Sequence, residues 1–144
     1  SWADRWIWWP SAPCTTALGT RSCRKRRSSM RRDLLLLGEI AAASRRATDI
    51  ANRHTVEELA HSLDARDALL WNLTVVGEAT GQLSADLRDA HPEIPWSQPV
   101  RMRNRIVHGY WSVDLDVIHA VALHDLPGFA AQVASIAEER SEEG

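Results

Sequence analysis

Cysteine is almost missing from this chain: Cys14 and Cys23 are the only two, and their spacing fits no zinc or redox motif. From residue 30 onward there is none, which excludes a disulfide scaffold and suits a reducing, cytoplasmic setting. No apolar run approaches the eighteen or so residues of a membrane span, and Ile7-Trp8-Trp9 is too short for a signal-peptide core. Glycine-rich phosphate loops and nucleophile elbows are missing, and His54, His61, His119 and His124 form no metal-ligand set. Those histidines read as surface or packing residues, and no metal or cofactor is expected. Period-two alternation is absent too, so no sheet is expected.

What is present divides at Met30. Residues 1–29 carry six basic side chains against one acidic, four of the seven tryptophans, Pro10 and Pro13, and the run Arg24-Lys25-Arg26-Arg27. They read as an N-terminal extension outside the fold; a cationic arm for a membrane or a nucleic acid is the other reading. Residues 30–144 carry eleven arginines against eighteen acids and read as one helical domain. A body with that balance is no general polyanion binder, so any nucleic-acid site on it must be a local basic patch. The single lysine against sixteen arginines is better explained by genome composition than by phosphate binding.

The pattern from Met30 is helical. Asp33 is placed to cap a first helix reaching about Asn52, with Leu36, Ile40, Ala43, Ala47 and Ile50 on one face. Thr55-Val56-Glu57-Glu58 reads as a capping box opening a short second helix. A third helix is expected from about Asp64 to Leu87, with Leu69, Leu73, Val76, Leu83 and Leu87 as its stripe. Trp71 and Val75 begin a second apolar face that a monomer would not need. Gly77 and Gly81 would let another helix come close. After the proline-broken loop His91–Trp96, a helix runs from Ser97 to His108, with Gly109 as its stop. Asp114 caps a last helix to about Ala137, which Pro127 kinks or interrupts. The expected fold is an all-α, up-and-down bundle of four to five helices.

On a wheel of about 100° per residue, Arg103 falls inside the apolar arc of the Ser97–His108 helix, between Ile106 and Val107. A guanidinium there must be paired or face a cleft, and Glu78 is the candidate partner. His108 shares the opposite face with Arg101, Asn104 and Arg105, close to the helix C-terminus. Imidazole changes charge near neutral pH, and a guanidinium offers a planar fork of donors to phosphate oxygens. Taken singly, these residues also suit helix capping, an ion pair and, for Tyr110 and Trp111, the aromatic anchors of a turn.

The run Met102-Arg103-Asn104-Arg105-Ile106-Val107-His108-Gly109-Tyr110 resembles the motif of HepT-like toxins of the HEPN ribonuclease superfamily. Its form is an arginine followed by asparagine, then a histidine five positions after the arginine, then a tyrosine two further on. Val76-Gly77-Glu78-Ala79, His91–Trp96 and Asp125-Leu126-Pro127 resemble its flanks, in order, over about residues 30–137. The resemblance implies a HEPN-like homodimer whose two motifs share a cleft and metal-independent endoribonuclease activity on an RNA substrate; the lack of a membrane span in the sequence is the separate reason that no membrane partner is expected. It further implies a minimal nucleotidyltransferase antitoxin that attaches AMP to the motif tyrosine. By position, Arg103 and His108 would be catalytic, Asn104, Arg105 and Glu78 auxiliary, and Tyr110 the modified residue. The alternative is a non-catalytic subunit of a nucleotidyltransferase complex, with Arg103 and His108 holding a nucleotide or the partner.

Overall fold

The structure, a computed structural model, describes residues 21–143. Most of the expected N-terminal extension, Cys14 included, lies outside the described residues. No strand occurs among them, so the all-α expectation holds.

Helix α1 spans Arg21–Arg53, a stretch without proline. It starts well ahead of Asp33, so Asp33 is not its cap. Leu37, Ile40, Ser44, Ala47 and Ala51 form its buried stripe, with Leu36 only at the margin. Asp33 is itself buried, and a carboxylate out of water needs donors. Ser84 supplies two, its backbone N–H at 3.0 Å and its hydroxyl at 2.6 Å.

That contact also explains why the third helix is shorter than its apolar stripe. Helix α2 covers Val56–His61, capped by the Thr55 hydroxyl, and α3 covers Leu63–Gln82. Leu83 and Ser84 then leave helical geometry, and the Ser84 oxygen accepts from the N–H of Leu87 to start α4, Ala85–Ala90. A serine able to cap wins over continued periodicity. Leu83 and Leu87 are buried as expected, but from two elements.

Helix α5 is Ser97–His108, followed by a 3₁₀ turn at Tyr110–Ser112. Helix α6, Leu115–Ala120, is capped by Asp114 as anticipated. It runs through a π-helical turn at Val121–Asp125 into α7, Leu126–Glu143. Pro127 is the cause. In π spacing the N–H of Leu126 reaches the Val121 carbonyl, and the next donor would be residue 127, which has none. The freed Ala122 carbonyl accepts instead from the Thr48 hydroxyl of α1 at 3.0 Å.

Helix α1 packs on α3 and α7, and α3 carries α5 on its other side. His119 ties α6 to the end of α1, its Nε2–H shared between the carbonyls of Ala51 and His54 at 2.9 and 2.8 Å. It is a packing histidine, as the sequence suggested.

Candidate active site

Two fittings fix α5 against the bundle. At its start, the Trp96 indole N–H donates to the His91 carbonyl at 3.0 Å, and its ring meets Phe129 edge-on at 6.1 Å. Along its length, Gly77 lets it lie directly on α3: a Cβ there would collide with the Arg103 Cβ and the Pro99 carbonyl oxygen. Pro99 and Arg103 meet Gly77 whereas Tyr110 meets Asp67, so the two helices run antiparallel.

Arg103 is half-buried and paired as its place in the apolar arc requires. One terminal nitrogen lies 2.8 Å from a Glu78 carboxylate oxygen, and the other donates to the Asn104 side-chain oxygen at 2.7 Å. The guanidinium is thus held at both ends, while its Nε is buried without a partner among the described residues. His108, exposed in the last turn of α5, lines the same groove of about 400 Å³ as Arg103 and Glu78. The rest of that groove is largely apolar, with Leu36, Trp71, Val75 and Val107 in its wall. His108 is also on the rim of a second groove, which Arg105 lines and Arg103 does not.

Tyr110 follows the helix stop. Its hydroxyl donates to Asp67 at 2.5 Å, and the Arg66 guanidinium carbon lies 5.2 Å from its ring centre. The hydrogen bond to Asp67, partial desolvation and the Asp67 charge hold its pKa above the ordinary 10.0, with Arg66 acting in the opposite sense. Trp111 is 92% exposed, correcting the expectation that it anchors a packed turn; its ring lies perpendicular to that of Tyr110, centroids 5.2 Å apart. Among the described residues no three His, Cys, Asp or Glu side chains gather as a metal site.

The family model for "Ribonuclease HepT-like" proteins matches residues 40–136, a span from mid-α1 to the end of the apolar stripe of α7. The chain belongs to the HepT-like family. "Probable ribonuclease HepT" of Thermococcus cleftensis is 30% identical over 91 residues, 63% of this chain and 83% of that protein. A Methanocaldococcus jannaschii protein named "Putative RNase" is 25% identical over 88 residues, 61% of this chain and 73% of its own length. No solved structure gives a significant match.

In this HepT-like chain, then, the structure unites Arg103, His108 and Glu78 on one groove and sets Asn104 against Arg103. It places Arg105 on the neighbouring groove and directs the Tyr110 hydroxyl to α3. Sequence reasoning missed Asp67 and Arg66. A signal existed: Asp67 lies one helical turn before Trp71, on the second face that leads on through Val75 to Glu78.

Proposed function

We propose that this HepT-like chain is a metal-independent endoribonuclease, active as a homodimer and serving as the toxin of a toxin–antitoxin module. The observation that carries the reaction is the shared groove: a proton-transferring side chain and a pre-positioned guanidinium on one wall. In metal-free cleavage the 2′-oxygen attacks the adjacent phosphorus and the P–O5′ bond breaks. His108 takes the proton from the 2′-hydroxyl. Arg103, already oriented by Glu78 and Asn104, stabilises the charge growing on the phosphate oxygens. The histidine of the second copy returns a proton to the leaving 5′-oxygen. The products are a 2′,3′-cyclic phosphate and a 5′-hydroxyl.

The test is cleavage of a labelled RNA in the presence of EDTA, with products identified by mass. His108→Ala should lower the rate by about 10²–10⁴, the range of a positioned acid or base. Arg103→Lys should fail as well, because a point charge cannot bridge Glu78, Asn104 and a phosphate as the planar fork does. Dependence on added magnesium, or full activity in His108→Ala, refutes the mechanism. The closed Arg103–Glu78 pair also suits the second reading, a non-catalytic subunit. In that case the wild type cuts nothing, and Arg103→Ala loses nucleotide or partner binding instead.

Regulation belongs to Tyr110. Its phenolic oxygen would attack the α-phosphorus of ATP on a minimal nucleotidyltransferase antitoxin, releasing pyrophosphate and leaving AMP attached close to the α5 terminus. The added phosphate and nucleoside would occupy the space and the arginine donors that RNA needs. Intact mass after incubation with that partner and ATP decides: an adduct on wild type and none on Tyr110→Phe is expected. Equal labelling of both, or of neither, removes Tyr110 from the role.

A further inference from the structure

The second groove beside His108 is not used by the chemistry above. It lies between α5 and α6 beside the 3₁₀ turn and has a volume of about 530 Å³. Met102, Ile106, Val113 and Ile118 give it an apolar floor; Ile106 and Ile118 are buried core residues, so that floor is fixed. Arg105 and His108 line it from α5, and Ser112 and Asp114 from the segment that follows that helix. One Asp114 oxygen accepts the backbone N–H groups of Asp116 and Val117 at 3.0 and 3.5 Å. The other oxygen has no protein donor among the described residues.

We infer that this groove is a nucleobase subsite, taking the base next to the phosphate on which His108 acts, with preference for adenine or cytosine over uracil. This rests on the ribonuclease reading. A carboxylate on the wall repels phosphate, so the group that enters beside Asp114 is a neutral N–H donor. The apolar floor suits the face of a heterocycle, whereas Arg105, contributed by α5, suits the phosphate that follows it. Adenine and cytosine present an exocyclic amine to such an acceptor; uracil presents a carbonyl oxygen at the same position, and its one donor, N3–H, is flanked by two carbonyl oxygens that a carboxylate repels. Unpaired bases of single-stranded RNA are free to be read in this way.

Binding separates the subsite from the reaction. In the full-length His108→Ala protein, which is not expected to cut, short fluorescent RNAs differing only in the base flanking one position are titrated by anisotropy. Adenine and cytosine RNAs should bind about fivefold more tightly than uracil, the scale of one net hydrogen bond. Adding Asp114→Asn should abolish or invert that ratio. Asparagine caps a helix as well as aspartate does, so α6 keeps its start. The ratio is the readout, because removing the charge tightens every RNA alike. Val117→Trp, at a half-exposed rim position, should fill the groove and weaken all the RNAs with unchanged melting temperature. Equal binding of the three bases, or a ratio untouched by Asp114→Asn, overturns the subsite whether or not the wild type cleaves. A base ratio that depends on Asp114 in a protein that never cuts RNA leaves the subsite standing and removes the reaction.

Discussion

Tyr110 is the chain's single tyrosine, which makes its hydroxyl directly observable by ultraviolet titration. Its donation to Asp67 favours the protonated phenol in the folded state and holds its pKa above 10.0. A group whose folded pKa is raised contributes stability below its unfolded pKa and loses it as pH rises through the folded value. The stabilisation from the Tyr110–Asp67 contact is therefore fully present up to about pH 10, the unfolded value, and is lost as pH rises through the higher folded one. The phenolate absorbance should rise with a midpoint above 10 in wild type and shift downward in Asp67→Ala, whereas an unchanged midpoint would deny the contact. At this scale the sequence was legible where a side chain violated its surroundings. Arg103 in an apolar arc demanded an acid, and Glu78 is that acid. It was not legible for Asp67, because an exposed aspartate on a helix violates nothing and its partner lies 43 residues away.

The seat of α5 on α3 depends on two glycines that look equivalent in sequence and are not equivalent in space. A Cβ at Gly77 has nowhere to go between the Arg103 Cβ and the Pro99 carbonyl, so Gly77→Ala must displace α5 and Arg103 with it. A Cβ at Gly81 meets only a Val100 methyl, at 3.7 Å, an ordinary contact. Gly77→Ala should cost about 1–3 kcal/mol as an overpacked seam and reduce RNA cleavage. Gly81→Ala should be neutral or stabilise by up to about 1 kcal/mol through helix propensity. Urea unfolding of both variants checks this, and equal destabilisation would show that the seam is looser than the structure has it. Helix faces and the termini at Ser97, Gly109 and Asp114 could be read from periodicity and caps. The break at Leu83–Ser84 could not, since it depends on a buried Asp33 from another helix. Pro127 announced an interruption, but the π turn needed the Thr48 hydroxyl, 74 residues from the carbonyl it satisfies.

At the scale of the molecule, the groove that holds Arg103 and His108 has an unusually apolar surround for a polar reaction. Trp71 is 65% exposed and Val107 50%, both in its wall, and Leu35 on α1 is 73% exposed. Large apolar groups gathered on one face mark an association surface. The second face of α3 at Trp71 and Val75 was readable in the sequence as more than a monomer needs, although sequence could not place the motif beside it. A second copy laid over this face would bury the indole and bring its own His108 toward the first, supplying the second proton-transfer group of the proposed mechanism. Light scattering at micromolar concentration should therefore give about twice the 16.1 kDa chain mass. Trp71→Glu places a charge on that face without touching the monomer's core, so it should give a folded monomer with unchanged helicity. Under the proposed mechanism one copy would lack the acid for the leaving oxygen, so that monomer should lose cleavage by about 10²-fold or more, as when a catalytic proton donor is removed. A wild type that cleaves while monomeric at every concentration, or a Trp71→Glu monomer that cleaves at the full rate, would show that a single Arg103–His108 pair suffices and that the apolar face has another purpose.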